Sequence, residues 1–136
     1  MDRLFLDANV IFSAAYVPGS RLLELWSLGG VELVTSLFAV EEARRNLTIH
    51  NRDGLVVLDD LVSRMTVVAG TKSGSLPDGV ELPNKDAPIL TAAIESGCGR
   101  LLTGDKRHFG DLLGREVGGV LIQTPAQYLR EADQKK

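Results

Sequence analysis

Cysteine is nearly missing from this 136-residue chain. Cys98 stands alone, so no disulfide can close within one copy, and the chain suits a reducing cytoplasm. Its setting, Ser96-Gly97-Cys98-Gly99, reads as a turn that ends a helix and lacks the flanking base or helix start a nucleophile needs. A basic excess is missing too. The formal net charge of −3 gives the whole molecule no pull toward polyanions, which speaks against a protein that coats DNA. It speaks less against an enzyme acting on nucleic acid, because a cation held by acidic side chains supplies positive charge locally. No apolar run approaches the roughly 20 residues of a membrane span. The apolar stretch 8–17 follows Asp2 and Asp7, which outweigh Arg3, where a secretory signal is net positive. Internal repeats, low-complexity tracts and interdomain linkers are likewise missing. The sequence therefore reads as one cytoplasmic domain, 1–136, with about 131–136 as a flexible tail.

What is present is a chain with 44% hydrophobic residues, enough for one sizeable core. The run Arg3-Leu4-Phe5-Leu6 suits a buried strand and ends at Asp7, after which the pattern turns helical. Pro18-Gly19-Ser20 breaks the chain, and a helix over 21–28 carries Leu22, Leu25 and Trp26 as a core face before Gly29-Gly30 stops it. Strands are expected at 31–34, 66–69, 100–103 and 119–122. Helices are expected from Thr35 or Ser36 to about Ile49, over about 54–65, from Asp86 to about Ser96, over 105–113, and from Thr124-Pro125 onward. Residues 70–84 are rich in Gly, Ser, Pro and Asp and show no period. Short apolar strands alternating with helices imply an α/β fold, a Rossmann-like α/β/α sandwich with a mainly parallel sheet of about five strands.

In such sheets ligands sit beyond the carboxyl ends of the strands, where the strand order reverses. Asp7 follows the first strand, Asp105 follows the fourth, and Asp86 opens a helix after an irregular loop. A glutamate two turns into the second-strand helix reaches the same crevice, although periodicity does not choose between Glu41 and Glu42. Hard divalent cations take oxygen ligands, and one or two of them would activate a water and neutralise a phosphate without any side-chain nucleophile. The competing reading is local: Asp7, Asp86 and Asp105 each stand where an N-cap aspartate belongs, and Glu41 or Glu42 can pair with Arg45 along the helix.

The motifs taken together resemble those of PIN-domain ribonucleases. Leu6-Asp7-Ala8-Asn9-Val10 is similar to that family's first motif. Val40-Glu41-Glu42-Ala43-Arg44-Arg45-Asn46-Leu47 is similar to the second, with Glu42 at its acidic position. Asn84-Lys85-Asp86-Ala87-Pro88-Ile89-Leu90-Thr91-Ala92-Ala93 is similar to the third, headed by Asp86. Leu101-Leu102-Thr103-Gly104-Asp105-Lys106-Arg107-His108-Phe109 is similar to the fourth. The four occur in family order across nearly the whole chain. The resemblance implies Mg2+- or Mn2+-dependent cleavage of single-stranded RNA, with Asp7, Glu42, Asp86 and Asp105 as catalytic metal ligands. Asn9 and Thr103 would support those carboxylates. Arg44, Arg45, Lys106 and Arg107 are candidates for RNA phosphate contacts. It further implies the toxin role of a toxin–antitoxin pair, with a small antitoxin as partner and a homodimer as assembly. One departure is Arg107, which stands where many members carry a further acidic residue. His108 reads as a packed or exposed histidine rather than a base.

Two other readings fit parts of the pattern. A catalytically silent PIN-like module would bind RNA or protein without cutting it. A phosphatase of the haloacid-dehalogenase kind would use Asp7 as nucleophile, but such proteins carry Asp-x-Asp where this chain has Asp7-Ala8-Asn9.

Overall fold

The computed structural model describes residues 2–70, 76–77, 79–83 and 86–134. In chain order these form β1 (Asp2–Leu6), α1 (Ala8–Tyr16), a 3-10 segment (Arg21–Ser27), β2 (Val31–Ser36), α2 (Leu37–His50), α3 (Gly54–Ser63) and β3 (Thr66–Val68). There follow α4 (Ala87–Glu95), β4 (Arg100–Leu102), a second 3-10 segment (Gly110–Leu112), β5 (Glu116–Val117), β6 (Val120–Gln123) and α5 (Pro125–Gln134). The strands make one six-stranded sheet in the order β3-β2-β1-β4-β6-β5, parallel except for the β5–β6 pair. The chain winds outward from β1 through β2 to β3, then returns to place β4 on the other side of β1. The strand order therefore reverses between β1 and β4, the place where such sheets open a crevice.

Side chains alternate along the strands and feed two apolar layers. On β1, Leu4 and Leu6 join a cluster with Val10 and Ile11 of α1, Leu47 of α2, Leu58 and Leu61 of α3, and Leu129 of α5. Phe5 points the other way, into a cluster with Ile89, Leu90 and Ala93 of α4 and with Phe109. The sheet is thus covered on both faces, as expected for short parallel strands. The helices expected at 35–49, 54–65 and 86–96 are present with small boundary differences. No helix of the described residues is long and apolar enough to cross a membrane.

Four details differ from expectation. The segment after Ser20 is a 3-10 helix rather than an α-helix: Leu22, Leu25 and Leu28 recur every three residues, the period at which 3-10 side chains eclipse, and all three pack on the first cluster. Trp26 also packs there and donates its indole N–H to the Leu61 carbonyl at 3.1 Å. The helix expected over 105–113 shrinks to the 3-10 segment Gly110–Leu112. A sixth strand, β5, pairs antiparallel with β6 across the Gly118-Gly119 turn, where both glycines have positive φ (57° and 84°). Finally, Glu131–Gln134, expected within a flexible tail, are the last turn of α5, and Glu131 is tied to Arg100 at 3.0 Å. Residues 135–136 lie outside the described residues.

Much of 70–84 also lies outside them. Among the described residues of that segment, which form no helix or strand, Leu76, Val80 and Leu82 pack on the second cluster.

The helical layer is tight where α3 begins. A Cβ on Gly54 would lie 2.8 Å from Leu47 Cδ2 and 3.0 Å from the Ala15 carbonyl oxygen. The side chain can yield but the backbone oxygen cannot. Gly54→Ala should therefore cost about 1–3 kcal/mol, read as a lower urea midpoint at unchanged slope. An unchanged midpoint would mean that α3 shifts freely.

Candidate metal centre

Asp7 and Asp105 follow the carboxyl ends of the neighbouring parallel strands β1 and β4. Asp7 follows β1, and its amide donates to the Leu102 carbonyl of β4 at 3.1 Å. Its carboxylate is divided between two tasks. Oδ1 accepts from the Ala8 amide at 2.7 Å and so starts α1, while Oδ2 accepts from the Thr103 hydroxyl at 2.8 Å and from Asn9 Nδ2 at 3.3 Å. Asn9 Oδ1 in turn accepts from the Gly104 amide at 2.8 Å, and the Asp105 amide donates to Thr103 Oγ1 at 3.0 Å. Asn9 and Thr103 therefore lock the loop after β4 to the end of β1.

Asp7 is buried, and burial is the main force that raises its carboxyl pKa from the ordinary 3.8 to about 6. The bonds from Thr103 and Ala8 pull it down, and the charges of Asp86 and Glu42 push it up further. The field of Glu42 thus reaches Asp7. Glu41 instead is exposed and lines a separate cavity of about 580 Å3 with Leu37, Phe38 and Pro88. Of the two neighbouring glutamates that helical period leaves open, Glu42 is the one whose charge acts on Asp7.

Asp86 arrives from a turn in which its amide and that of Ala87 both donate to the Pro83 carbonyl. It stands at the N-cap position of α4, yet its side chain makes no capping bond. The capping account of this aspartate therefore fails, and its buried carboxylate faces the loop after β4. Asp105 does cap its own turn, through Oδ1 to the His108 amide at 2.9 Å, and keeps Oδ2 for the crevice.

The residue that sequence reasoning missed is His108. Its Nδ1 lies 2.8 Å from Asp86 Oδ2 and 2.9 Å from Asp105 Oδ2, and neither approach has the in-line geometry of a ring N–H hydrogen bond. One donor atom each from Asp86, Asp105 and His108 lie within 4.8 Å of one another. The one advance signal was the three-residue step from Asp105, which puts His108 on the same side of that turn. Its second neighbour, Asp86, is remote in sequence and only the fold supplies it.

The candidate basic residues separate. Arg44 is engaged by Asp59 of α3 at 2.7 Å, an exposed pair on the helical layer. Arg45, Lys106 and Arg107 are exposed. Lys106 lines a cavity of about 320 Å3 with Asn9, Val10, Leu22, Gly104 and Pro125, directly beside Asp7's partners. Cys98 is buried in the second cluster next to the Ser96 hydroxyl, and burial pushes its thiol pKa up, as befits a structural cysteine.

The sequence matches no family model and no curated protein. In fold, however, it is similar to several solved structures. VapBC2 from Rickettsia felis, bound to a DNA fragment from their promoter, matches with a TM-score of 0.66 at 17% identity, over 90% of this chain and 98% of that one. VapBC-1 from nontypeable Haemophilus influenzae matches with a TM-score of 0.58 at 14% identity, over 91% and 98%. VapC20 from Mycobacterium tuberculosis, described as a Sarcin-Ricin loop cleaving toxin, matches with a TM-score of 0.55 at 16% identity, over 75% and 91%. The chain has the fold of a VapC-like PIN domain.

Proposed function

We propose that the protein is a divalent-metal-dependent ribonuclease that hydrolyses single-stranded RNA and acts as the toxin of a toxin–antitoxin pair. The observation that carries this reading is the convergence at the strand-order reversal. Three ligand atoms from Asp86, Asp105 and His108 meet there beside a buried Asp7 that feels the charges of Asp86 and Glu42. A donor set rich in carboxylate oxygens suits a hard divalent cation such as Mg2+ or Mn2+. Asp7, Glu42, Asp86 and Asp105 would hold it. When bound, it supplies positive charge against the scissile phosphate and makes a water more acidic.

The chain's own residues do the rest. Thr103 and Asn9 hold Asp7 Oδ2 in one orientation, so the carboxylate does not have to be ordered when substrate arrives. Lys106 and Arg107, next to Asp105, and Arg45 on α2 would meet backbone phosphates, which fix register without reading bases. The toxin role and the antitoxin partner are supported by the complexes among the similar structures, such as VapBC2. A homodimer is part of the same proposal.

The test is cleavage of an end-labelled single-stranded RNA by the purified chain with Mn2+, with Mg2+ and with EDTA, alongside Asp86→Asn. Cleavage should need the metal and fall on the order of 100-fold or more in the variant. Binding of the RNA without cleavage in either metal would favour the silent module instead.

A further inference from the structure

We infer that His108 is a nitrogen ligand of the cation held by Asp86 and Asp105, and that it makes this centre prefer manganese to magnesium. The inference rests on reading the acidic cluster as a metal site, and it adds a ligand and a selectivity that carboxylates alone do not give. Spacing is the first argument. Ligands at adjacent corners of an octahedron with bonds of about 2.1 Å stand roughly 3 Å apart. His108 Nδ1 stands 2.8 Å from one carboxylate oxygen and 2.9 Å from the other, so it holds a corner adjacent to both.

Orientation is the second argument. Neither oxygen takes an in-line hydrogen bond from the ring N–H, and the three atoms lie within 4.8 Å of one another, close enough to share one cation. Rigidity is the third. The His108 amide donates to Asp105 Oδ1, and the next residue, Phe109, is wholly buried in the second cluster, so the turn holds the imidazole in place. Ligation through Nδ1 leaves the ring hydrogen on Nε2.

The chemical consequence follows from ligand type. Magnesium keeps to oxygen donors and gives up water reluctantly, whereas first-row transition ions accept imidazole nitrogen readily. With His108 in the coordination shell, manganese gains a bond from which magnesium profits little.

The experiment uses the full chain with MnCl2 or MgCl2 as the only ligand. Pulsed electron paramagnetic resonance of the Mn2+-loaded wild type should show coupling to a directly bound 14N, and His108→Ala should lack it. In calorimetric titrations the same variant should lose about tenfold or more in Mn2+ affinity while Mg2+ affinity changes by less than about threefold. His108→Gln, which offers an oxygen, should also lack the nitrogen coupling. Mn2+ bound by the wild type without 14N coupling would overturn the inference and leave the proposed nuclease standing. An unchanged Mn2+/Mg2+ preference in both variants would do the same. Absence of any bound Mn2+ in the wild type would overturn both.

Discussion

Asp7→Asn should abolish RNA cleavage, on the order of 10³-fold, while making the metal-free protein more stable at pH 8. The two effects share a cause. The Asp7 carboxyl is buried at the end of β1, and its pKa is raised from 3.8 to about 6, first by loss of solvent and then by the Asp86 and Glu42 charges. Between those two values the folded protein still holds a proton that the unfolded chain has released. Stability therefore falls as pH rises through this window, and above about pH 6 the deficit amounts to about 3 kcal/mol. Asparagine keeps the shape and an acceptor for the Ala8 amide, but carries no charge to bury. The melting temperature at pH 8 in EDTA should rise by about 10 °C, and the difference from wild type should vanish below about pH 3, where both states of the wild type are protonated. A variant that melts lower than wild type at pH 8 would show that the bonds from Thr103 and Asn9 need a carboxylate more than burial opposes one. The functional cost and the structural gain would then mark Asp7 as a residue kept for chemistry at the expense of stability.

The second large effect is the response to metal. A cation that binds only the folded state at 100 times its dissociation constant should add about 2.7 kcal/mol, which for a chain of this length raises the melting temperature by about 8–12 °C. The rise should be larger at pH 7.5 than at pH 5.5, because at the lower pH the cation competes with the proton that Asp7 retains. Asp86→Ala should remove most of it. Thermal melts with excess MnCl2 at the two pH values read both statements. A rise that is equal at both would place the cation away from Asp7.

The parts of the fold that were legible in the sequence are those in which one physical signal acts alone. Leu4-Phe5-Leu6 and Leu101-Leu102 read as strands because both faces of a parallel sheet are covered, and the residues on either side are polar or turn-forming. The first 3-10 segment reads as an α-helix in sequence because Leu22, Leu25 and Trp26 fit helical spacing, whereas Leu28 shows the three-residue period that packing uses. β5 was illegible because Glu116-Val117 is too short to carry a period and exists only where the Gly118-Gly119 turn folds it onto β6. For the candidate site, the order of the acidic motifs was readable, but their use was not. Whether Asp86 caps α4 or leaves its carboxylate for the crevice depends on the φ and ψ delivered by the Pro83 turn. The engagement of Arg44 by Asp59 and the insertion of His108 between Asp86 and Asp105 both join segments far apart in the chain. Local pattern encodes only the three-residue step from Asp105 to His108.

The sheet ends on its two sides in strands of three and two residues, β3 and β5. A longer border strand would offer a ladder of open backbone groups on which another chain could template itself, the usual first step toward fibrous deposits. Here each rim exposes too few such groups to hold an added strand. The chain can therefore meet other proteins through the side chains of its helices, with little risk that the meeting propagates into an endless ribbon.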